Sequence, residues 1–217
     1  MGSEARNGSD KPQRPRSSAK NGDNRGTLWT RALNTMTTAV LVIDVQQGLC
    51  EGEGAAFDCD GTIQRINRVT QKARLAGIPI VFIQHESTSG YLEHGSAPWQ
   101  LAKGLDAQPG DIRLRKTTPD SFLRTDLEAL LSGLHVTELV ICGMHSEFCV
   151  DTTARRALAL GFPVILISDA HTSAGNAAIS AQQVIAHHNA TLTNISSFGP
   201  RVRAISSDSL VSLVFAA

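Results

Sequence analysis

The chain has 217 residues, 41% apolar and 18% charged, a composition of ordinary globular proteins that excludes a fibrous or wholly disordered chain and leaves room for a sizeable core. Its 20 Lys and Arg balance 20 Asp and Glu, so the net charge offers no footprint for nucleic acid. The four cysteines (Cys50, Cys59, Cys142, Cys149) make no disulfide framework in a chain this long, and no apolar run approaches the roughly 20 residues that cross a bilayer.

Residues 1–34 are rich in Gly, Ser, Asn, Arg and Pro and lack periodicity, so a disordered basic tail is expected there. Residues 1–31 hold seven Lys and Arg against three acids, a net +4; the remaining 13 and 17 give −4. The N-terminus lacks the apolar stretch of a secretory signal, and a cytoplasmic location is expected. One domain is expected over residues 35–217.

Ala39–Ile43 is a continuous β-branched run, predicted to be a strand buried on both faces. Residues 62–76 place Ile63, Ile66, Val69 and Ala73 at helical spacing, and Gly77 and Pro79 stop that helix. Ile80–Ile83 is a second buried strand. Residues 84–119 have no clear period and read as a long functional loop. A helix is predicted over Ser121–Leu134, a strand over Leu139–Cys142, a helix over 148–160, a strand over Val164–Ile167, a helix over 177–189 and a last strand over Val202–Ile205. Such alternation implies βαβ units: an α/β fold, a single doubly wound domain with a central parallel sheet flanked by helices.

In such sheets ligands bind beyond the carboxyl ends of the strands. The first strand ends at Asp44, the third runs into Cys149, the fourth into Asp169 and Ser173, and Lys116 precedes the leucine-faced helix. A thiol, a carboxylate and an ammonium are thus available to one crevice. A thiol near a helix N-terminus and a cation has its thiolate favoured, and a carboxylate beside it can move its proton.

Three blocks, AVLVIDVQQGL around Asp44, RKTTPDSFLRTDLEALL around Lys116 and ELVICGMHSEFCVDTTARRALALGFPVILISDAHTS around Cys149, resemble the signatures of isochorismatase-like cysteine hydrolases, in the family's order. The resemblance spans Thr37 to the C-terminus. It implies a triad of Cys149 as nucleophile, Asp44 as general acid and base, and Lys116 as stabiliser of their pair. It further implies a cis peptide at Met144–His145 that turns the main-chain N–H groups of His145 and Cys149 toward a substrate oxyanion. Cysteine at this position favours hydrolysis of an amide or lactam C–N bond through a thioester over the vinyl-ether cleavage of isochorismatases; a catalytically silent assembly protein is the third reading. Within the family, SEFCVDTTARRA is most similar to amidases that include streptothricin hydrolases.

Substrate contacts are expected from Gln46, Glu86, Trp99, His145 and Phe148, with His85, Tyr91 and Glu147 as further candidates; Trp99 serves equally as pocket wall or interface residue. Asp169 and Ser173 are expected to tie down the active-site loops. Ser146 stands where many members have Thr, its hydroxyl expected to anchor main chain. Nicotinamidases carry an Asp-x-His metal pair after the second strand, whereas Gln84-His85-Glu86-Ser87 does not match it and puts His85 and Glu86 on opposite sides. No metal and no cofactor are expected. The partners expected are a small-molecule substrate and further copies of the chain, as a dimer or tetramer, with no nucleic acid and no membrane.

Overall fold

The computed structural model describes residues 37–213; the tail expected over 1–34 lies outside the described residues. Six strands form one all-parallel sheet: β1 (Thr38–Ile43), β2 (Ile80–His85), β3 (Ile112–Lys116), β4 (Glu138–Met144), β5 (Val164–Thr172) and β6 (Val202–Ile205). Their spatial order is β3-β2-β1-β4-β5-β6. The order reverses between β1 and β4, and a crevice opens at that switch point beyond their carboxyl ends.

Among the described residues six α-helices accompany the strands: α1 (Gln47–Cys50), α2 (Cys59–Leu75), α3 (Leu127–Gly133), α4 (Asp151–Ala159), α5 (Ala181–Asn194) and α6 (Ser207–Leu213). All six residues of β1 are buried because helices cover both faces. Ala39, Leu41 and Ile43 pack into a core with Leu127 and Leu131 of α3, Ala154 and Leu158 of α4 and Leu192 of α5. Val40 and Val42 face Ile63, Ile66 and Val69 of α2 and Leu210 of α6. Leu41 and Ile66 expose no surface, so truncating either to alanine costs about 2–5 kcal/mol. No helix among the described residues is long and apolar enough to cross a membrane.

The buried strands follow the apolar runs, while the exposed elements depart from them. β3 lies within the stretch read as loop. It is an edge strand whose Arg113 and Arg115 are exposed while Ile112, Leu114 and Lys116 turn inward, so no continuous apolar run marks it. The helix expected from Ser121 starts at Leu127. Asp120 Oδ1 accepts from the Phe122 N–H, Thr125 Oγ1 donates to the Ser121 carbonyl, and Arg124 adopts a left-handed φ of 59°, so local hydrogen bonds displace the first turns. α5 starts at Ala181 and not at 177 because Ser180 and Gln183 form a capping box.

Gly143 is required where it stands. Its φ is 119°, and a Cβ there would lie 2.0 Å from the Ile43 carbonyl oxygen of β1. Only glycine allows β4 to approach β1 this closely at the switch point.

Candidate active site

Each strand end delivers one group to the crevice. Asp44 follows β1 with a left-handed φ of 51°, a conformation that Asp tolerates better than most residues. Lys116 closes β3, paired in register with His85 at the end of β2. After β4 the Met144–His145 peptide is cis, and Ser146–Val150 forms a π-helical turn closed by the Val150 N–H on the His145 carbonyl at 3.2 Å. Cys149 lies in that turn, ahead of α4.

Lys116 Nζ donates to Asp44 Oδ2 at 2.7 Å and to the Thr118 carbonyl at 3.1 Å, and lies 3.4 Å from His85 Nδ1. Its three N–H directions are all taken. With Lys116 donating, His85 Nδ1 is the acceptor and the ring proton sits on Nε2. Both side chains of the Lys116–Asp44 pair are buried, so breaking the pair leaves a stranded charge. Asp44 Oδ1 is buried without a hydrogen-bond partner, and an Asp44 oxygen, the Cys149 sulfur and a His85 nitrogen all lie within 4.8 Å of one another.

The electrostatics correct one expectation from sequence. Burial, and then the Asp44 carboxylate, push the Cys149 thiol up to about 12, and Lys116 opposes this only in part. The resting group is a thiol facing a carboxylate, not a preformed thiolate, because desolvation outweighs helix end and cation. Burial likewise holds the His85 and His145 imidazoles below their ordinary range.

Asp44, His85 and Cys149 are the one set of metal-type donors grouped here among the described residues. The Lys116 ammonium already occupies the position between the Asp44 oxygen and His85 Nδ1, so a divalent ion there would meet a resident cation. Glu86 turns away from His85, into a separate cavity lined by Arg113 to Thr117.

A family model of the isochorismatase domain matches residues 38–197. The chain belongs to the isochorismatase family. Two streptothricin hydrolases of Streptomyces noursei are 38% identical over 136 and 148 residues, covering 62% and 68% of this chain but only 49% and 59% of their own lengths. The ureidoacrylate amidohydrolase RutB of Methylobacterium radiotolerans is 31% identical over 204 residues, 77% of this chain and 76% of that protein. A crystal structure of an isochorismatase family protein superposes with a TM-score of 0.72 at 34% identity, covering 78% of this chain and 98% of that one. This chain therefore has the isochorismatase family's α/β fold, and it spans only about half the length of the streptothricin hydrolases it matches.

A cavity of about 200 Å³ over Cys149 is lined by Asp44, Leu49, His85, Leu92, His145 and Phe148. Of the five expected substrate contacts, His145 and Phe148 line it and three lie elsewhere. Gln46 is fully buried and spent on main chain: its amide donates to the His85 and Trp99 carbonyls at 2.9 Å and accepts from the His85 N–H at 2.8 Å. Glu86 lies 3.5 Å from Arg115. The Trp99 ring packs edge-on against His94, 4.7 Å between centroids. Leu49 and Leu92 were missed, since isolated apolar loop residues carry no periodic signal.

Behind the π turn a second network corrects two further expectations. The Ser146 hydroxyl meets a side chain, His171 Nδ1 at 2.8 Å, and not main chain. His171 Nε2 faces Asn189 Oδ1 at 3.1 Å, and Asn189 Nδ2 donates to the Ser168 carbonyl at 2.9 Å. That order makes His171 Nδ1 the acceptor of the Ser146 proton. Ser173 does tie a site loop, donating to Glu147 Oε1 at 2.7 Å. Asp169 instead accepts from the N–H and hydroxyl of Ser207, at the start of α6.

Proposed function

We propose that the chain, through one domain over residues 35–217, is a cysteine-dependent hydrolase that cleaves the C–N bond of a small amide or lactam by way of a thioester. The observation that carries this reading is the buried Asp44 carboxylate, which has one oxygen within 4.8 Å of Cys149, with Oδ2 clamped by buried Lys116 and Oδ1 left without a partner. Asp44 takes the Cys149 proton as sulfur attacks the carbonyl, a transfer concerted with attack because the thiol is protonated at rest. The main-chain N–H groups of His145 and Cys149 receive the oxyanion. Asp44 then protonates the departing amine, leaving a thioester on Cys149. Water, deprotonated by Asp44, releases the acid and restores the thiol. Lys116 keeps Asp44 charged and oriented throughout.

The amide specificity draws on the relatives: the name amidohydrolase belongs to a protein 31% identical over most of this chain. The test is acid-quench mass spectrometry on a panel of amides and lactams. An acyl adduct on the Cys149 peptide, with released ammonia or amine and loss of both in Cys149→Ala, is the expected result. Turnover that survives Cys149→Ala would overturn the thioester route and favour vinyl-ether cleavage.

A further inference from the structure

We propose that the cavity over Cys149 admits uncharged acyl groups and turns away acyl groups that carry a carboxylate, an inference that rests on the amide-hydrolase reading for its chemistry. At about 200 Å³ the space falls below the roughly 300–1,000 Å³ of pockets for drug-sized ligands, so it holds an acyl portion while the amine leaves through the open side. Leu49, Leu92 and Phe148 form its apolar walls, and no Arg or Lys is among its lining residues.

The surrounding charge is net negative, Asp44 and Glu147 against Lys116. Asp44 is in the lining, and Glu147 beside it keeps Oε2 buried without a partner. Both carboxylates act on the His145 ring. The cations nearby are committed: Lys116 is wholly buried with all its N–H groups engaged, and Arg115 pairs with Glu86 along a different cavity. His85 and His145 are neutral at pH 7, since burial holds both below the ordinary histidine range. A carboxylate bound here would lose water and gain no uncommitted counter-charge, since Lys116 is already paired with Asp44 and Glu147 adds a second acid. A neutral amide or ring nitrogen has a waiting partner, because His145 Nε2 is buried and unpartnered in the cavity wall.

The experiment uses two alkylating reagents of one size, iodoacetamide and iodoacetate, on the full chain at pH 8, with peptide mapping of Cys149. The quantity read is the ratio of their rates, divided by the same ratio for Cys149 in the urea-unfolded chain. Because both reagents attack one thiol, the ratio is independent of how reactive that thiol is. The folded chain is expected to favour iodoacetamide by about tenfold or more. Phe148→Arg, which places a cation in the wall, should bring the ratio back toward that of the unfolded chain. A folded ratio at or below the unfolded one would overturn the charge selection and leave the nucleophile reading intact. Loss of the nucleophile reading itself would show separately, as turnover that survives Cys149→Ala.

Discussion

Asp44→Asn preserves side-chain size and removes one charge, and it should shift the Cys149 thiol downward. After burial, the Asp44 charge is the largest influence raising that thiol, and the Asp44 hydrogen bond adds to it. Oxygen and sulfur lie within 4.8 Å. Even at the outer limit of that range and an effective dielectric of about 20, a unit charge is worth about 3.5 kcal/mol. A thiol pushed up to about 12 should therefore titrate lower in the variant. Lys116→Met should move it the other way, since the ammonium lowers it. Asp44→Asn also strands a buried ammonium, at a cost of about 3–5 kcal/mol, so alkylation is compared well below each variant's Tm. The assay is the pH dependence of iodoacetamide alkylation with peptide mapping, Cys149→Ala serving as blank. Near pH 9 the variant should alkylate at least about tenfold faster than wild type while hydrolysis falls by about 10²–10⁴. A thiol that titrates at or above its wild-type position in Asp44→Asn would refute the argument that this carboxylate holds the proton on sulfur.

Three further outcomes are expected. Gly143→Ala places a Cβ 2.0 Å from the Ile43 carbonyl oxygen at a φ of 119° and should cost more than about 3 kcal/mol; a free energy of urea unfolding within about 1 kcal/mol of wild type would contradict the close-approach argument. His171, held neutral by burial and lowered to about 4 from 6.5, binds its proton more readily in the unfolded chain, so its contribution is present above pH 6.5 and is lost as pH falls toward 4. That loss amounts to about 3 kcal/mol, and His171→Gln should flatten the difference in stability between pH 7 and pH 4; parallel pH profiles would count against it. Gln46→Ala removes three bonds to the main chain of His85 and Trp99 and should lower Tm without altering which acyl groups are accepted, as read by kcat/KM across an amide series.

The elements legible in the sequence were those whose local pattern and burial coincide. Ala39–Ile43 and Ile80–Ile83 are buried on both faces, so their β-branched runs needed no partner to be recognised. Lys116 carried a signal that a strand reading would have used: it shares parity with Ile112 and Leu114, and opposes Arg113 and Arg115. Reading that stretch as loop hid it.

By itself the chain determined the alternation of strands and helices, hence a parallel sheet, and it determined that Asp44 and Cys149 fall at strand ends, because apolar runs and their interruptions are local properties. Only tertiary structure decided which loop side chains share the cavity. It turned Gln46 onto main chain, set Glu86 in a separate cavity with residues of the edge strand, and brought His171 behind Ser146 across 25 positions of sequence. Tertiary structure also decided the charge state of the site. Helix end and nearby lysine pointed to a thiolate, but the depth at which Cys149 lies and the carboxylate facing it keep the proton on sulfur, and neither burial nor a neighbour contributed by another strand is written in local sequence.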